Sequence, residues 1–508
     1  MREENSRIAK NTFFLYIRQF VVLAISLYTS RVVLDVLGVT DFGLYNVVGG
    51  VIVIFGFVTN ALSNSTSRFL AFAIGKKEYA EIERTFGSFL TLYYCLALLI
   101  FVLGETIGLW FVYNYMTIPP ERFTAALWVY HFSVVTAVMN VLYIPHDSLI
   151  VAREKMSAFA YISIMDAVIK LIIVFLISIS SFDKLIFYAA LIFLSKCIDR
   201  IIYVYYCKKN FSESSAPLSY NKSLLSEILR YSCWILFGSL SFATYTQGIN
   251  ILLNVFFGPA VNAARGVAVQ VQSASQNFIV GFQTALYPQI IKSYAQKDFP
   301  RMYTLLHTAC KGSFFLFFIL AVPIILKAPF ILGIWLKDVP DYAVPFTSLI
   351  LLFSMLRAIT NEINHAVQAT GKIKKFQVIE GLLGLLILPF AYLSLAFLHT
   401  DPISVFIIMV AMEFISVFVR ISIGIPQIGD SRRDFFKCVM FPIVYVTILG
   451  GIVPWIFARI TDQNLCGFLV ISVIDVIWVV PVIFFLGLTK KEKGLVVDKL
   501  KLLRRKFA

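Results

Sequence analysis

Charge is scarce in these 508 residues: Asp, Glu, Lys and Arg together make up 14%, against about 25% in a typical soluble domain. That deficit excludes an ordinary water-soluble fold, and a mean hydropathy of +0.83 points the same way. Histidine is scarcer still, with five residues, and the seven cysteines include no CxxC pair. Neither a zinc site nor a redox dithiol can be composed from such a set. The cysteines (Cys95, Cys197, Cys207, Cys233, Cys310, Cys438, Cys466) fall in or beside apolar runs and read as small buried apolar residues.

Other absences narrow the reading further. No polar linker separates the chain into soluble domains, so one membrane body is expected. The first apolar run is too long for a cleavable leader and lacks a small-residue cleavage site, so it is expected to stay as a transmembrane helix. No nucleophile–base or metal constellation stands out, which argues against an enzyme and against a bound cofactor. The net charge of +15 comes from short clusters between apolar runs, where topology explains it and nucleic-acid binding does not.

What is present is roughly fourteen apolar stretches of spanning length, the first centred near Val21 and the last near Ile474. The fold class expected is therefore an all-α integral membrane protein. The basic residues alternate with these stretches: Lys76, Lys77 and Arg84; Arg153 and Lys155; Lys208, Lys209 and Lys222; Lys292, Lys297 and Arg301; Lys372, Lys374 and Lys375; Arg432, Arg433 and Lys437. The opposite loops are short and hold chiefly Arg122, Lys184, Lys327, Lys337 and Arg459. Counting the termini, the bias is roughly 30 against about five, which assigns the rich side and both termini to the cytoplasm. The tail from Lys490 to Ala508 mixes apolar and basic residues and suits an amphipathic helix on an anionic inner leaflet.

The segment Asn11–Phe86 is echoed by Arg230–Leu306, displaced by about 220 residues; an even number of helices separates the copies, so they share an orientation, as in parallel repeats with a substrate path between halves. The expected organisation is a six-helix lobe over 1–210, a second over 211–430, and an extra helix pair with a basic tail over 431–508. Polar stripes run along the second helix (Asn46, Asn60, Asn64) and along its repeat counterpart and the helix before it (Gln247, Asn250, Asn254, Gln270, Asn277). Either interhelical hydrogen bonds or a hydrated cavity would account for them.

Arginines inside apolar runs are costly and need a reason. Arg18, Arg31, Arg68, Arg265 and Arg357 are the candidates for holding an anionic substrate, since a guanidinium stays charged and forks onto phosphate oxygens. The competing readings are snorkelling for Arg68 and Arg265, pairing with Asp35 for Arg31, and pairing with Glu362 or a neighbouring helix for Arg357. Arg18 and Arg357 lie deepest. Asp166 and Lys170, at i,i+4, read as a structural pair or, with Asp35, as candidates for proton or sodium coupling. Glu380, Glu413, Asp475 and His365 stay unassigned.

Ser30-Arg31 through Leu37-Gly38, followed by Asp41-Phe42-Gly43-Leu44-Tyr45, resembles the first-to-second-helix junction of lipid-linked polysaccharide flippases. These belong to the multidrug/oligosaccharidyl-lipid/polysaccharide exporter superfamily, which also contains the multidrug and toxin extrusion transporters. Ser67-Arg68-Phe69-Leu70-Ala71 with Gly75-Lys76-Lys77, and Ala369-Thr370-Gly371-Lys372, are similar to that family's inner loops. The resemblance implies two six-helix bundles around a central cavity, lined by the first two helices of each lobe. It implies alternating access that carries an undecaprenyl-pyrophosphate-linked oligosaccharide across a bacterial inner membrane, with Arg31 the best match to the family's junction. No sodium-site motif of the family is recognisable. Expected partners are that lipid-linked substrate, membrane lipids, and glycan polymerase or glycosyltransferase proteins around a monomer. The alternatives are a drug or metabolite exporter of the same superfamily, whose members usually favour acidic cavities, and a membrane glycan polymerase or ligase.

Overall fold

The computed structural model describes residues 14–494 apart from 23, 27, 30, 31, 34, 38–40, 42, 43, 46–54, 77, 116, 117, 337, 338, 490 and 491. The described residues form helices and contain no strand. In a bilayer this is what backbone chemistry demands, because a helix pairs its own N–H and C=O groups where no water can.

Long helices succeed one another: α1 (Phe55–Lys76), α2 (Tyr79–Leu103), α3 (Phe123–Ala152), α4 (Met156–Ile179), α5 (Lys184–Asn210), α6 (Lys222–Phe257), α7 (Pro259–Ala295), α8 (Phe299–Leu326), α9 (Ala343–Thr370), α10 (Lys374–Phe397), α11 (Ile403–Gln427), α12 (Phe441–Ile460) and α13 (Leu465–Val482). Nine of the described helical segments are both long and apolar enough to cross a membrane. Helices α1, α5, α6 and α7 have the length, at 22, 27, 36 and 37 residues, but carry more charge or more polar groups. The protein is a multi-pass membrane protein.

The chain divides into two compact units, one of residues 1–239 with 291–298, the other of 240–290 with 299–508. In the first, α3 packs along α1, α2 and α5, and α4 packs on α5. Val112, Ala126, Val129, Tyr130, Val134 and Leu185 form a core there. Ion pairs bind its loops: Arg122 bridges Asp41 and Asp183, and Arg153 pairs with Glu213 at 2.5 Å. Asp183 caps α5 by accepting from the amides of Leu185 and Ile186. Burial alone would raise its carboxyl, but the Arg122 guanidinium and these amides hold it below the usual range. Glu154 adopts a left-handed φ of 60° just past α3, and its buried carboxylate accepts from Lys292 at 2.7 Å.

In the second unit α9 is the central helix, with α8 and α11 against it and α10 on α11. Its core gathers Leu253, Ala264, Ala268, Phe346, Ile350 and Phe406. Helices α9 and α11 cross at Gly424, where an added Cβ would stand 2.3 Å from a methyl of Ile363; only glycine admits that approach. The pair α12–α13 lies on α8. Two buried lysines, Lys311 of α8 and Lys327 just past its end, reach the segments that flank this pair. Lys311 donates to Glu492 at 2.7 Å and to the Gly487 carbonyl at 3.3 Å, and Lys327 donates to the carbonyls of Thr461 and Asp462 at 2.8 and 2.9 Å.

The two units repeat one packing scheme. Helices α2, α3, α4 and α5 begin at 79, 123, 156 and 184, and α8, α9, α10 and α11 at 299, 343, 374 and 403. The contacts α2–α3, α3–α5 and α4–α5 recur as α8–α9, α9–α11 and α10–α11. The outer faces carry large apolar side chains such as Phe175, Ile201, Phe390, Ile448 and Trp455, while Asp199, Glu362, Glu413, Arg420 and Asp475 are buried. That inversion suits a lipid solvent. It also corrects the expectation that the cysteines are uniformly buried: Cys95, Cys233 and Cys466 are exposed, since a small apolar residue is equally at home against lipid.

Candidate functional site

In the first unit, Arg18 stacks over Phe159 at 4.7 Å, and its Nε is buried without a hydrogen-bond partner. Asp147 and Tyr203 lie within its electrostatic reach, and the Tyr203 hydroxyl bonds the Asp147 carboxylate. Tyr203 stacks on Tyr143 at 5.1 Å. Asp166 and Lys170 do pair, at 2.8 Å, but not in isolation. Lys196 of α5 donates to Asp166 at 2.8 Å and to Asp199 at 2.6 Å. Four alternating charges thus cancel across α4 and α5, as buried ions must. Lys170 is the most open member, at 40% exposure.

Arg68 neither snorkels nor faces an open space. It is 5% exposed and enclosed by the rings of Phe69, Phe72 and Tyr231 at 4.5 to 5.2 Å, contacts in which the rings' electron-rich faces stabilise the cation. Asn64 and Asp35 are exposed on their helices. Arg31 and Asn46 lie outside the described residues, as do the side chains of Asn60 and Asn254.

In the second unit, Arg265 of α7 donates to Asn250 Oδ1 at 3.2 Å and to the Thr246 carbonyl at 2.8 Å, both on α6. Sequence named Arg265 among the candidate cations and Asn250 in the polar stripe, and the structure brings the two together. Gln247, Gln270 and Asn277 are exposed. Gln272 and Gln276, on the other side of α7, bond Ser354 of α9 at 2.7 and 3.3 Å. Helix α7 therefore uses part of its polar content to fasten α9 and leaves another stripe open.

Arg357 sits over the Phe242 ring at 5.0 Å, donates to the Tyr245 hydroxyl oxygen at 3.5 Å, and stands 3.8 Å from Glu380. Its partner helix is α10; Glu362 is fully buried and accepts no hydrogen bond. Glu380 is held more tightly by Arg420, at 3.2 Å, and Arg420 is anchored to Glu413 at 2.6 Å and to Thr360 at 3.0 Å. Arg420 is the structural cation of this group and Arg357 the loosely held one, with a side chain 26% exposed. Both fork geometries suit phosphate, but only the second leaves its donors accessible.

Sequence reasoning missed Lys196, Asp199, Asp147 and Arg420. The signal was there: Lys196 and Asp199, at i,i+3, interrupt an apolar run. His365 stacks on Tyr287 at 4.6 Å, and Asp475 is buried with both oxygens lacking a partner. Among the described residues no group of His, Cys, Asp and Glu could hold a metal ion.

Residues 8–294 match the family described as polysaccharide biosynthesis protein. No curated protein sequence matches the chain. Among solved structures, a MOP superfamily transporter from Pyrococcus furiosus, reported with a binding pocket of reversed polarity suggesting a different function, has a TM-score of 0.70 at 15% identity, covering 83% of this chain and 96% of its own. A multidrug resistance MATE family transporter in an outward-facing conformation gives 0.70 at 16%, covering 85% and 97%. A MATE structure in a bent conformation gives 0.73 at 17%, covering 85% and 96%. These likenesses establish the fold that those transporters share, and the sequence match supplies the lineage: the chain belongs to the polysaccharide biosynthesis protein family.

Proposed function

We propose that the protein moves undecaprenyl-pyrophosphate-linked oligosaccharide units across the bacterial inner membrane by alternating access between two helical lobes. A glycan head cannot cross hydrocarbon unaided, while its lipid tail can stay in the bilayer; a cationic, laterally open path solves that problem. Family membership supplies the glycan context. The observation that carries the reading is Arg357, a guanidinium on a transporter fold whose carboxylate neighbour is engaged more closely by Arg420. Arg18, with its buried unpartnered Nε, is the counterpart in the first unit. Arg31 is the position that best matches the flippase junction.

The reading is tested by reconstitution in liposomes containing defined undecaprenyl-pyrophosphate oligosaccharides, scoring which leaflet exposes the glycan, with and without proton or sodium gradients. Substituting Arg18, Arg31 and Arg357 by Ala should abolish translocation while the protein stays folded. Unchanged translocation in all three would sink the cationic-path mechanism. The MATE likeness favours a second reading, export of small drugs or metabolites. Gradient-driven uptake of a cationic drug, with no glycan translocation, would establish it instead.

A further inference from the structure

Helix α9 of the second unit stops at Gly371, whose φ of 75° ends the helix in a left-handed turn. Lys372, Lys374 and Lys375 follow at once and open α10. Against them lies the far end of α11, beyond which Arg432 begins a short helix. Between these ends is a cavity of about 840 Å³, within the ~300–1,000 Å³ usual for small-molecule sites. Its rim is formed by the three lysines and Arg432; its walls deeper along α10 and α11 are Val378, Ile379 and Ile423. No carboxylate lines it.

The positive-inside tendency accounts for basic residues in this loop, but it asks nothing of their shape. Here they are shaped. The Gln427 amide donates to the Lys372 carbonyl, which ties the α9–α10 loop to the end of α11. Arg432 is aimed by its bond to the Ser422 carbonyl at 2.6 Å. Gln427 Oε1 is buried without a donor, leaving an acceptor suited to a hydroxyl. A cationic rim, a spare acceptor and apolar walls running into the membrane are, in order, what a phosphodiester, a headgroup hydroxyl and acyl chains require.

We propose that this groove binds an anionic glycerophospholipid of the inner leaflet, its phosphodiester on the Lys372, Lys375 and Arg432 side and its chains along Val378, Ile379 and Ile423. The assignment uses the expected cytoplasmic placement of this loop and does not depend on what the protein transports.

The test uses the full-length protein in neutral detergent, titrated with phosphatidylglycerol, phosphatidylcholine or inorganic phosphate, reading retained lipid by mass spectrometry and the thermal unfolding midpoint. Phosphatidylglycerol should be retained and raise the midpoint, with phosphatidylcholine and inorganic phosphate doing neither. Each basic residue near an anionic headgroup is worth about fivefold in affinity, so K372A/K375A should weaken phosphatidylglycerol binding about thirtyfold. All four residues of the rim are exposed, and the unfolding midpoint without lipid reports whether the variant folds; K372A alone provides a milder second measurement. K208A/K209A, a basic pair ending α5 in the first unit, should bind as the parent does. Equal protection by phosphatidylcholine, full protection by inorganic phosphate alone, or an equal loss in K208A/K209A would overturn the proposal.

Discussion

Arg357 and Arg420 stand within reach of the same carboxylate, Glu380, and replacing them separately should have opposite consequences. Arg420 has a side chain 5% exposed and bonds Glu413 at 2.6 Å. Arg420→Met would leave Glu413 without its cation in a site 3% exposed. Breaking such a buried pair costs about 3–5 kcal/mol, which in a chain of 508 residues should lower the melting temperature by about 3–5 °C. Arg357 makes a 3.8 Å contact at 26% exposure, so solvent screening leaves that pair about 0–1 kcal/mol. Its place over Phe242 adds about 0.5–1 kcal/mol. Arg357→Ala should therefore shift melting by no more than about 2 °C, yet abolish glycan translocation. Arg357→Lys, which keeps the charge without the planar fork, should recover only part of the activity. Fluorescence-monitored unfolding of the purified variants, alongside translocation in liposomes, checks both halves. If Arg357→Ala melts as early as Arg420→Met, Arg357 is a structural cation; if it is stable and fully active, no substrate group rests on it.

Three further outcomes follow from other contacts. Lys196→Met should cost about 3–5 kcal/mol, because Asp166 and Asp199 lose a shared partner, whereas Lys170→Ala, 40% exposed, should cost less than about 1 kcal/mol; chemical unfolding of both variants compares them. Gly424→Ala should destabilise by about 1–3 kcal/mol by forcing α9 and α11 apart, visible as an earlier melt with the translocated substrate unchanged. Burial alone would raise the Glu492 carboxyl, but Lys311 and the Thr489 amide hold it below the ordinary value of 4.5. A depressed carboxyl stabilises the fold fully above its unfolded pKa, so this contribution should persist above about pH 5 and fade as pH falls below 4.5 through the folded value. Glu492→Gln should flatten that part of the stability-against-pH curve; an unaltered acid limb would refute the assignment.

Much of this was legible in the sequence because it depends on local spacing. The helices, the membrane setting and the Asp166–Lys170 pair need only runs and an i,i+4 interval. The similar helix starts in the two units follow from a displacement visible in the chain itself. Other features depend on partners that no interval reveals. Arg68 reads as a cation near a helix end, but Tyr231, from another helix, turns its surroundings into an aromatic enclosure. Lys196 lies on a different helix from Asp166, so their pairing becomes visible only when α4 and α5 pack. Arg357 and Arg420 look alike as arginines in apolar runs; the distances to Glu380 and Glu413 separate them.

Lys311 of α8 and Lys327, the residue just past its end, lie 16 positions apart, about 24 Å along the axis, and each ends on an acceptor supplied by the chain beyond residue 460. When α8 first leaves the ribosome, none of those acceptors has been made. The helix must then wait with two cations unsatisfied, near water or the insertion machinery, until α12 and α13 arrive. The final helix pair therefore has a role in the order of assembly: its arrival is the event that lets α8 settle. A chain stopped before residue 441 should linger at the insertion site and be degraded, even though every helix of the α8–α11 bundle has already been synthesised.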